Sequence, residues 1–270
     1  MSKKIIFSIW SDLTEEHKSV PQWKKDSLSK FKNDLINVQK KYADQCNADY
    51  FLFKAKSKNY IDVQFDKILK FEELTKTYDK VVYFDLDVIP ITKKNIFDEF
   101  NFNYPCVYEY ETDINNRDNK MMKRFLRKNL REKTVLDPMN RHSKVAAKKA
   151  MLLLDNISAN NNICNTAVIC GNSKASKSLN FKSRINMLNN KLKEAKEDNL
   201  YPKEFSKGWI KNNEIYFSYI LERFNVKFNN IGIQWNYILD DSVTEFTDGA
   251  HLIHQVNKDF NATFSKIKSI

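Results

Sequence analysis

Residues 78–90 read YDKVVYFDLDVIP, and the fold is decided by how this stretch is understood. The run VVYF, β-branched and aromatic, predicts a buried strand. It finishes in two carboxylates, Asp85 and Asp87, one residue apart. Side chains alternate along extended chain, so positions i and i+2 face the same way and the two acids are expected to converge. Like charges that close repel unless a cation or a proton intervenes. A divalent metal is the economical answer, since it takes carboxylate oxygens and keeps open positions for phosphate oxygens.

The segments around this strand set its context. Residues 5–10 predict a first strand, which runs into the polar loop SDLTEEHKS. Pro21 then opens a long helix on which Leu28, Phe31, Leu35, Val38 and Tyr42 recur at three- and four-residue steps. A second strand is expected at 49–55, and a helix at about 64–78 carries Phe65, Ile68, Leu69 and Leu74 inward. Strand–helix–strand–helix–strand is the order of a parallel sheet with covering helices. In such sheets ligands bind beyond the carboxyl ends of the strands, which is where Asp85 and Asp87 lie.

After Pro105 the texture changes. CVYEYETD predicts a strand leaving into an acidic loop, with Glu109, Glu111 and Asp113 read as loop solvation, and 118–133 a basic amphipathic helix. Further helices are expected at 143–155, from 172 to about 199, and at 212–224. Strands are expected at 163–171, near 226–228 and at 250–253. No repeat and no linker breaks the chain, so the expectation is one α/β domain, 1–270, with two lobes.

Composition bounds the partners. The chain has 270 residues, with 45 Lys and Arg against 34 Asp and Glu, a net charge of +11. That balance favours nucleotides, phosphorylated sugars, anionic lipid headgroups or nucleic acid. Lysines and arginines within 120–133 present either a solvated face or an anionic surface contact. No apolar run approaches a membrane span and the N-terminus lacks a signal-peptide core, so a cytoplasmic protein is expected. Cys46, Cys106, Cys164 and Cys170 form no C-x-x-C pair and are expected as buried thiols. With only four glycines there is no GxGxxG and no Walker loop.

Taken together, several islands resemble one family. Lys67-Ile68-Leu69, an aromatic-rich helix and then YDKVVYFDLDVIP are similar to the sugar-nucleotide site of GT-A fold glycosyltransferases, above all the family 8-like and glycogenin-like enzymes. Ile163-Cys164-Asn165-Thr166-Ala167-Val168 resembles their F-N-x-G-V segment. Asn213-Glu214-Ile215-Tyr216 resembles their D-Q or D-E helix start, and Ile233-Gln234-Trp235-Asn236 their K-W-N motif. Leu252-Ile253-His254-Gln255 with Lys258 resembles their closing H-x-x-G-x-x-K.

The resemblance implies a GT-A, Rossmann-like fold: a mixed, mostly parallel sheet flanked by helices. Residues 1–105 would form the nucleotide-sugar lobe and 106–270 the acceptor lobe. It also implies roles. Asp85, Asp87 and His254 (in preference to His251) would hold the metal, with Asp85 also reaching the ribose. Lys67 and Lys258 would neutralise the diphosphate. Asn165 and Glu214 would act at the sugar or acceptor, joined by Asn236, and Ser8 and Trp10 would lie near the base. By the same resemblance the donor would be a nucleotide-diphosphate sugar, a UDP-sugar first, and the acceptor a hydroxyl of a glycan or other saccharide. A carboxylate–imidazole donor set suits Mn²⁺ better than Mg²⁺.

The sequence departs from that pattern at Leu86, at Thr166-Ala167 and at Gln255-Val256-Asn257-Lys258, where the family carries small residues. Two rival activities share the same residues. A haloacid-dehalogenase-type phosphatase would use Asp85 as nucleophile and Asp87 as acid/base, with Asp240-Asp241 as its late acidic pair. A glycosyltransferase acting on modified DNA would fit the basic charge.

Overall fold

A computed structural model of the chain describes residues 2–11, 22–57, 60–111, 141–197, 212–239, 245 and 249–268. The basic segment 118–133, most of the loop after the first strand, Asp113 and the pair Asp240-Asp241 lie outside the described residues. In chain order the elements are β1 (Lys4–Trp10), α1 (Gln22–Gln45), β2 (Asp49–Lys54), α2 (Tyr60–Leu74), β3 (Lys80–Phe84), β4 (Val88–Pro90), α3 (Ile96–Glu99) and β5 (Cys106–Glu111). They continue with α4 (Arg141–Leu153), β6 (Asn162–Gly171), α5 (Ser173–Leu179), α6 (Phe181–Glu197) and α7 (Asn213–Arg223). Last come β7 (Asn229–Asn230), β8 (Tyr237–Leu239), β9 (Leu252–Gln255) and α8 (Phe260–Lys268). Among the described residues no helix is long and apolar enough to cross a membrane.

The described strands form a six-stranded sheet, ordered β2-β1-β3-β6-β5-β7, and a three-stranded sheet, β4-β9-β8. β1 pairs in parallel with both β2 and β3, as the strand–helix–strand order predicts. β6 runs antiparallel to β3, with Val81 opposite Gly171 and Phe84 opposite Val168, which makes the sheet mixed. Ile5, Ile6, Phe7, Val81, Val82 and Phe84 have no exposed surface, as expected of central strands covered on both faces. Fully burying such a side chain stabilises by about 1.5–3 kcal/mol. Gly171 ends β6 where a Cβ would stand 2.7 Å from the Ala175 Cβ and 3.0 Å from the Phe71 ring, so close packing requires glycine there.

The chain divides into two compact units, each assembled from separate stretches. One comprises Met1–Tyr108, Ala167–Ser176 and Asn229–Ile270, and the other Glu109–Thr166 and Lys177–Phe228. In the first, the apolar stripe of α1 covers a cluster of Leu86, Ile89, Tyr237, Leu239, Ile253 and Phe260. Leu35 belongs to that cluster, and Leu28, Phe31 and Val38 pack against it, so the helix presents the face its spacing predicts.

Several expectations need correction. α2 starts at Tyr60 and stops at Leu74, where the Leu74 carbonyl takes the amides of Thr77 and Tyr78, both at 3.0 Å, and closes the last turn. The single helix expected after Asn172 is two, broken at Asn180 in the left-handed region (φ 40°), which asparagine tolerates. Residues 226–228 are not a strand. Asn225 (φ 46°) caps α7, and the Val226 amide bonds the Leu221 carbonyl at 2.8 Å, so it serves the helix end instead of a ladder. The short strand pairs Asn229 and Asn230 with Cys106 and Val107. β9 is shifted two residues beyond the expected 250–253. The four cysteines are free and buried, as expected.

Candidate metal and nucleotide-sugar site

The two aspartates do not converge by strand alternation. β3 stops at Phe84, and residues 85–88 form a turn closed by the Val88 amide on the Asp85 carbonyl at 2.9 Å. Asp85 is the first residue of this turn, a position aspartate favours, and Asp87 is its third. A bond from the Asp85 amide to the Ala167 carbonyl, 2.7 Å, anchors the start of the turn to β6. The chain leaves directly into β4, whose antiparallel register on β9 sets Val88 opposite His254. The Gln255 amide also reaches the Asp87 carbonyl at 3.0 Å. Turn and register together bring the three side chains to one place. One ligand atom from each of Asp85, Asp87 and His254 lies within 4.8 Å of the others.

Each acid already carries a lysine. Lys67, on α2, places its ammonium 3.1 and 3.3 Å from the two carboxylate oxygens of Asp85. It also lies 5.2 Å from the centre of the Tyr83 ring. Tyr83 donates its phenol to Asp85; burial first, and then the negative charge of Asp85, push that phenol well above its ordinary range. Lys258, in the left-handed region (φ 62°), bonds Asp87. Its own carbonyl accepts from the Ser27 hydroxyl at 2.7 Å, which ties this residue to the start of α1. His254 Nε2 stands 3.6 Å from Asp87 Oδ2. Burial opposes the charged form of Asp87, but the positive charge of Lys258, and next His254, outweigh it and hold the carboxyl below its ordinary 3.8.

These residues fit a divalent cation. Two carboxylates and an imidazole are a donor set suited to a first-row ion such as Mn²⁺. With one ligand atom from each within 4.8 Å of the others, the three side chains could hold one such ion together. Charge accounting adds a condition. Two aspartates and two lysines sum to zero. A bound dication would therefore leave this partly buried site at plus two, unless an anion of matching charge arrived with it.

Of the other expected residues, Ser8 and Trp10 lie on β1. Ser8 has no exposed surface, and its hydroxyl lies 2.6 Å from Gln39 Oε1 and 2.7 Å from the Phe84 carbonyl. With no exposed surface, that hydroxyl ties β1 to α1 and to the end of β3. Trp10 is half-buried at the end of β1, packed against the cluster that includes Leu86, with the Lys32 ammonium 4.0 Å from its ring centre. His251 belongs elsewhere, edge-on to Trp235 with ring centres 4.8 Å apart, and burial lowers its pKa. Asn236 is fully buried where a short 3-10 turn, Ile233–Trp235, ends.

Asn165 and Glu214 belong to the second unit. Glu214 sits in the first turn of α7, capped by Asn212, whose side chain accepts from the amides of Glu214 at 2.9 Å and Ile215 at 3.3 Å. Its carboxylate bonds Lys144 and takes the Thr166 amide at 3.4 Å. Asn165 is buried, and its neighbour Thr166 accepts from Asn213 Nδ2 at 2.6 Å.

Sequence reasoning missed Gln39, Tyr50 and Tyr83. For Gln39 a signal existed: it is a polar residue on the stripe that carries Leu35 and Tyr42.

No protein-family model and no curated protein matches the chain. Among solved structures, the apo structure of the WbbM bifunctional glycosyltransferase is similar at 11% identity, over 94% of this chain and 46% of that one, with a TM-score of 0.50. A glycosyltransferase involved in glycosylation of the major capsid of PBCV-1 aligns at 10% identity over 99% of this chain and 100% of its own, with a TM-score of 0.48. Mouse xyloside xylosyltransferase 1 aligns at 11% identity over 94% and 98%, with a TM-score of 0.46. The chain has the GT-A fold. At these identities the likeness is one of architecture, and the fold expected from the motif islands is the fold observed.

Proposed function

We propose that the chain is a metal-dependent glycosyltransferase that moves a sugar from a nucleotide-diphosphate donor, a UDP-sugar, to a hydroxyl of a glycan or other saccharide. The observation that carries this reading is the convergence of Asp85, Asp87 and His254, each aspartate paired with a lysine. The fold supports it. Asp85, Asp87 and His254 would hold Mn²⁺, which as a Lewis acid stabilises the charge that develops on a departing diphosphate.

The chain's own groups do the rest. Lys67 and Lys258 neutralise the acids while the site is empty of anion. When a diphosphate arrives, the two ammonium groups are released toward its oxygens, where fixed positive charge favours the leaving group over the intact donor. A cation and a diphosphate bring nearly cancelling charge, so each makes the other easier to bind. The turn and β9 hold Asp85, Asp87 and His254, while Lys67 reaches them from α2 and Lys258 from the segment that follows β9. Asn165 and Glu214 keep the sugar or acceptor roles that the motif islands imply.

The test is a thermal-shift panel of nucleoside diphosphates with and without Mn²⁺, since a ligand that binds only the folded state raises Tm. UDP with Mn²⁺ is expected to give a shift larger than the sum of the two alone. The same shift in the Asp85→Asn/Asp87→Asn double variant would sink the assignment.

A further inference from the structure

Gln39 projects from the C-terminal half of α1, has no exposed surface, and reaches three of the four residues of the turn that carries the acids. Its Nε2 lies 3.0 Å from the Asp85 carbonyl, 2.8 Å from that of Val88 and 3.4 Å from that of Leu86. Its Oε1 receives the Tyr50 phenol at 3.0 Å and stands 2.6 Å from the Ser8 hydroxyl. A primary amide offers two protons and two lone pairs. Here both protons serve carbonyls of the turn, and both lone pairs face hydroxyls from β1 and β2. The amide can point only one way, because the flipped orientation would set its oxygen against three carbonyl oxygens.

We infer that Gln39 is the positioning residue of the metal site, fixing through the backbone of residues 85–88 where the carboxylates of Asp85 and Asp87 stand. This rests on the metal-dependent reading above and adds to it a residue that touches neither ion nor substrate. A four-residue turn closed by one amide–carbonyl bond leaves its remaining carbonyls dependent on other donors, and a buried carbonyl without one forces the backbone to rotate. Rotation about residues 85–88 swings the two side chains apart, because they leave the turn at its first and third positions. Ser8 and Tyr50 then act one step further out: they hold the amide that holds the turn.

The experiment titrates Mn²⁺ into the full chain in the presence of excess UDP, with affinity and line shape read by electron paramagnetic resonance, and Tm measured alongside. Gln39→Met keeps the length of the side chain and removes its hydrogen bonds. It is expected to weaken Mn²⁺ binding about ten-fold or more and to broaden the line. Leu188→Ala, a core truncation in the second unit, is expected to lower Tm and leave both readouts unchanged. Wild-type affinity and line shape in folded Gln39→Met overturn the inference, and so does an equal loss of affinity in Leu188→Ala. Should Gln39→Met fail to fold, Tyr50→Phe and Ser8→Ala decide: about three-fold weaker binding supports the inference, and wild-type binding in both overturns it. A wild-type chain that takes up no Mn²⁺ with UDP overturns the functional reading together with this one. Failure of the Gln39 variants alone leaves the functional reading standing.

Discussion

Each unit buries lysine ammonium groups against carboxylates, yet the two arrangements do different things. In the second unit Lys148 has three partners for its three protons: Asn160 Oδ1 at 2.5 Å, the Asn162 carbonyl at 2.7 Å and Glu222 Oε2 at 2.7 Å. The other oxygen of Glu222 takes the Asn160 amide at 2.8 Å, so the circuit closes on itself. In the first unit Asp85 keeps about a quarter of its side-chain surface, 27%, in solvent. Beside it a second carboxylate and an imidazole converge at a distance too long for hydrogen bonds among themselves. A saturated pair has nothing left to offer a ligand. A pair that stays partly in solvent, and which shares its space with a second pair, can exchange partners.

The strongest way to break that contrast is to remove the acids. Asp85→Asn/Asp87→Asn is expected to abolish the Mn²⁺-dependent UDP shift outright while the far-ultraviolet circular dichroism stays native. Next comes the closed pair. Lys148→Met leaves Glu222, whose side chain is 18% exposed, with an uncompensated charge and is expected to lower stability by about 2–3 kcal/mol in a urea melt. The Mn²⁺–UDP affinity of that variant should be unchanged. A loss of ligand affinity in proportion to stability would mean that the two clusters are not chemically independent.

A finer cut separates the two uses of Lys258. In Lys258→Met, Asp87 loses its resident counter-ion, so Mn²⁺ without nucleotide should bind tighter by a few-fold. With UDP present the variant has one cation fewer for the diphosphate, and UDP affinity should fall about ten-fold. Opposite signs in two isothermal titrations are the signature of partner exchange. Losses in both would show that Lys258 only braces Asp87.

The contrast also explains what could be seen in advance. Asp85 and Asp87 were legible because two like charges one residue apart at the end of an apolar strand call for a cation. They were legible for a partly mistaken cause, however, since the convergence comes from a turn and not from the pleat. The small sheet β4-β9-β8 was hidden, because three- and four-residue strands leave no periodicity to count. His254 was therefore reachable only through motif resemblance, although a register pairing with Val88 is what places it. Gln39 was hidden differently. A glutamine in a lysine-rich helix reads as surface unless its place on the apolar stripe is weighed, and the carbonyls its amide serves are backbone groups that no side-chain pattern encodes. The saturation of Lys148 depends on Asn160 and the Asn162 carbonyl, which no spacing rule connects to it.

The smallest effect is a pH dependence that only the open cluster should show. Lys258 and His254 hold the folded-state pKa of Asp87 below its ordinary 3.8 against the opposing pull of burial. A carboxyl whose pKa is depressed on folding adds stability that is fully present above the unfolded value. That stability is lost as pH falls through the folded value, because the unfolded chain takes up the proton first. The stability difference between wild type and Asp87→Asn should therefore be flat from about pH 7 down to about pH 5 and shrink below about pH 4. The natural comparison is Asp87→Asn in a Lys258→Met background. There the main source of the depression is gone and burial is left less opposed, so the loss should shrink. It should turn into a gain on acidification where burial lifts the folded value above the unfolded one. Melts across that range in both backgrounds would read the ion pair directly, without metal or nucleotide. Identical profiles would show that Lys258 does not set the charge of Asp87 in solution, and the exchange of partners between acid and diphosphate would lose its starting state.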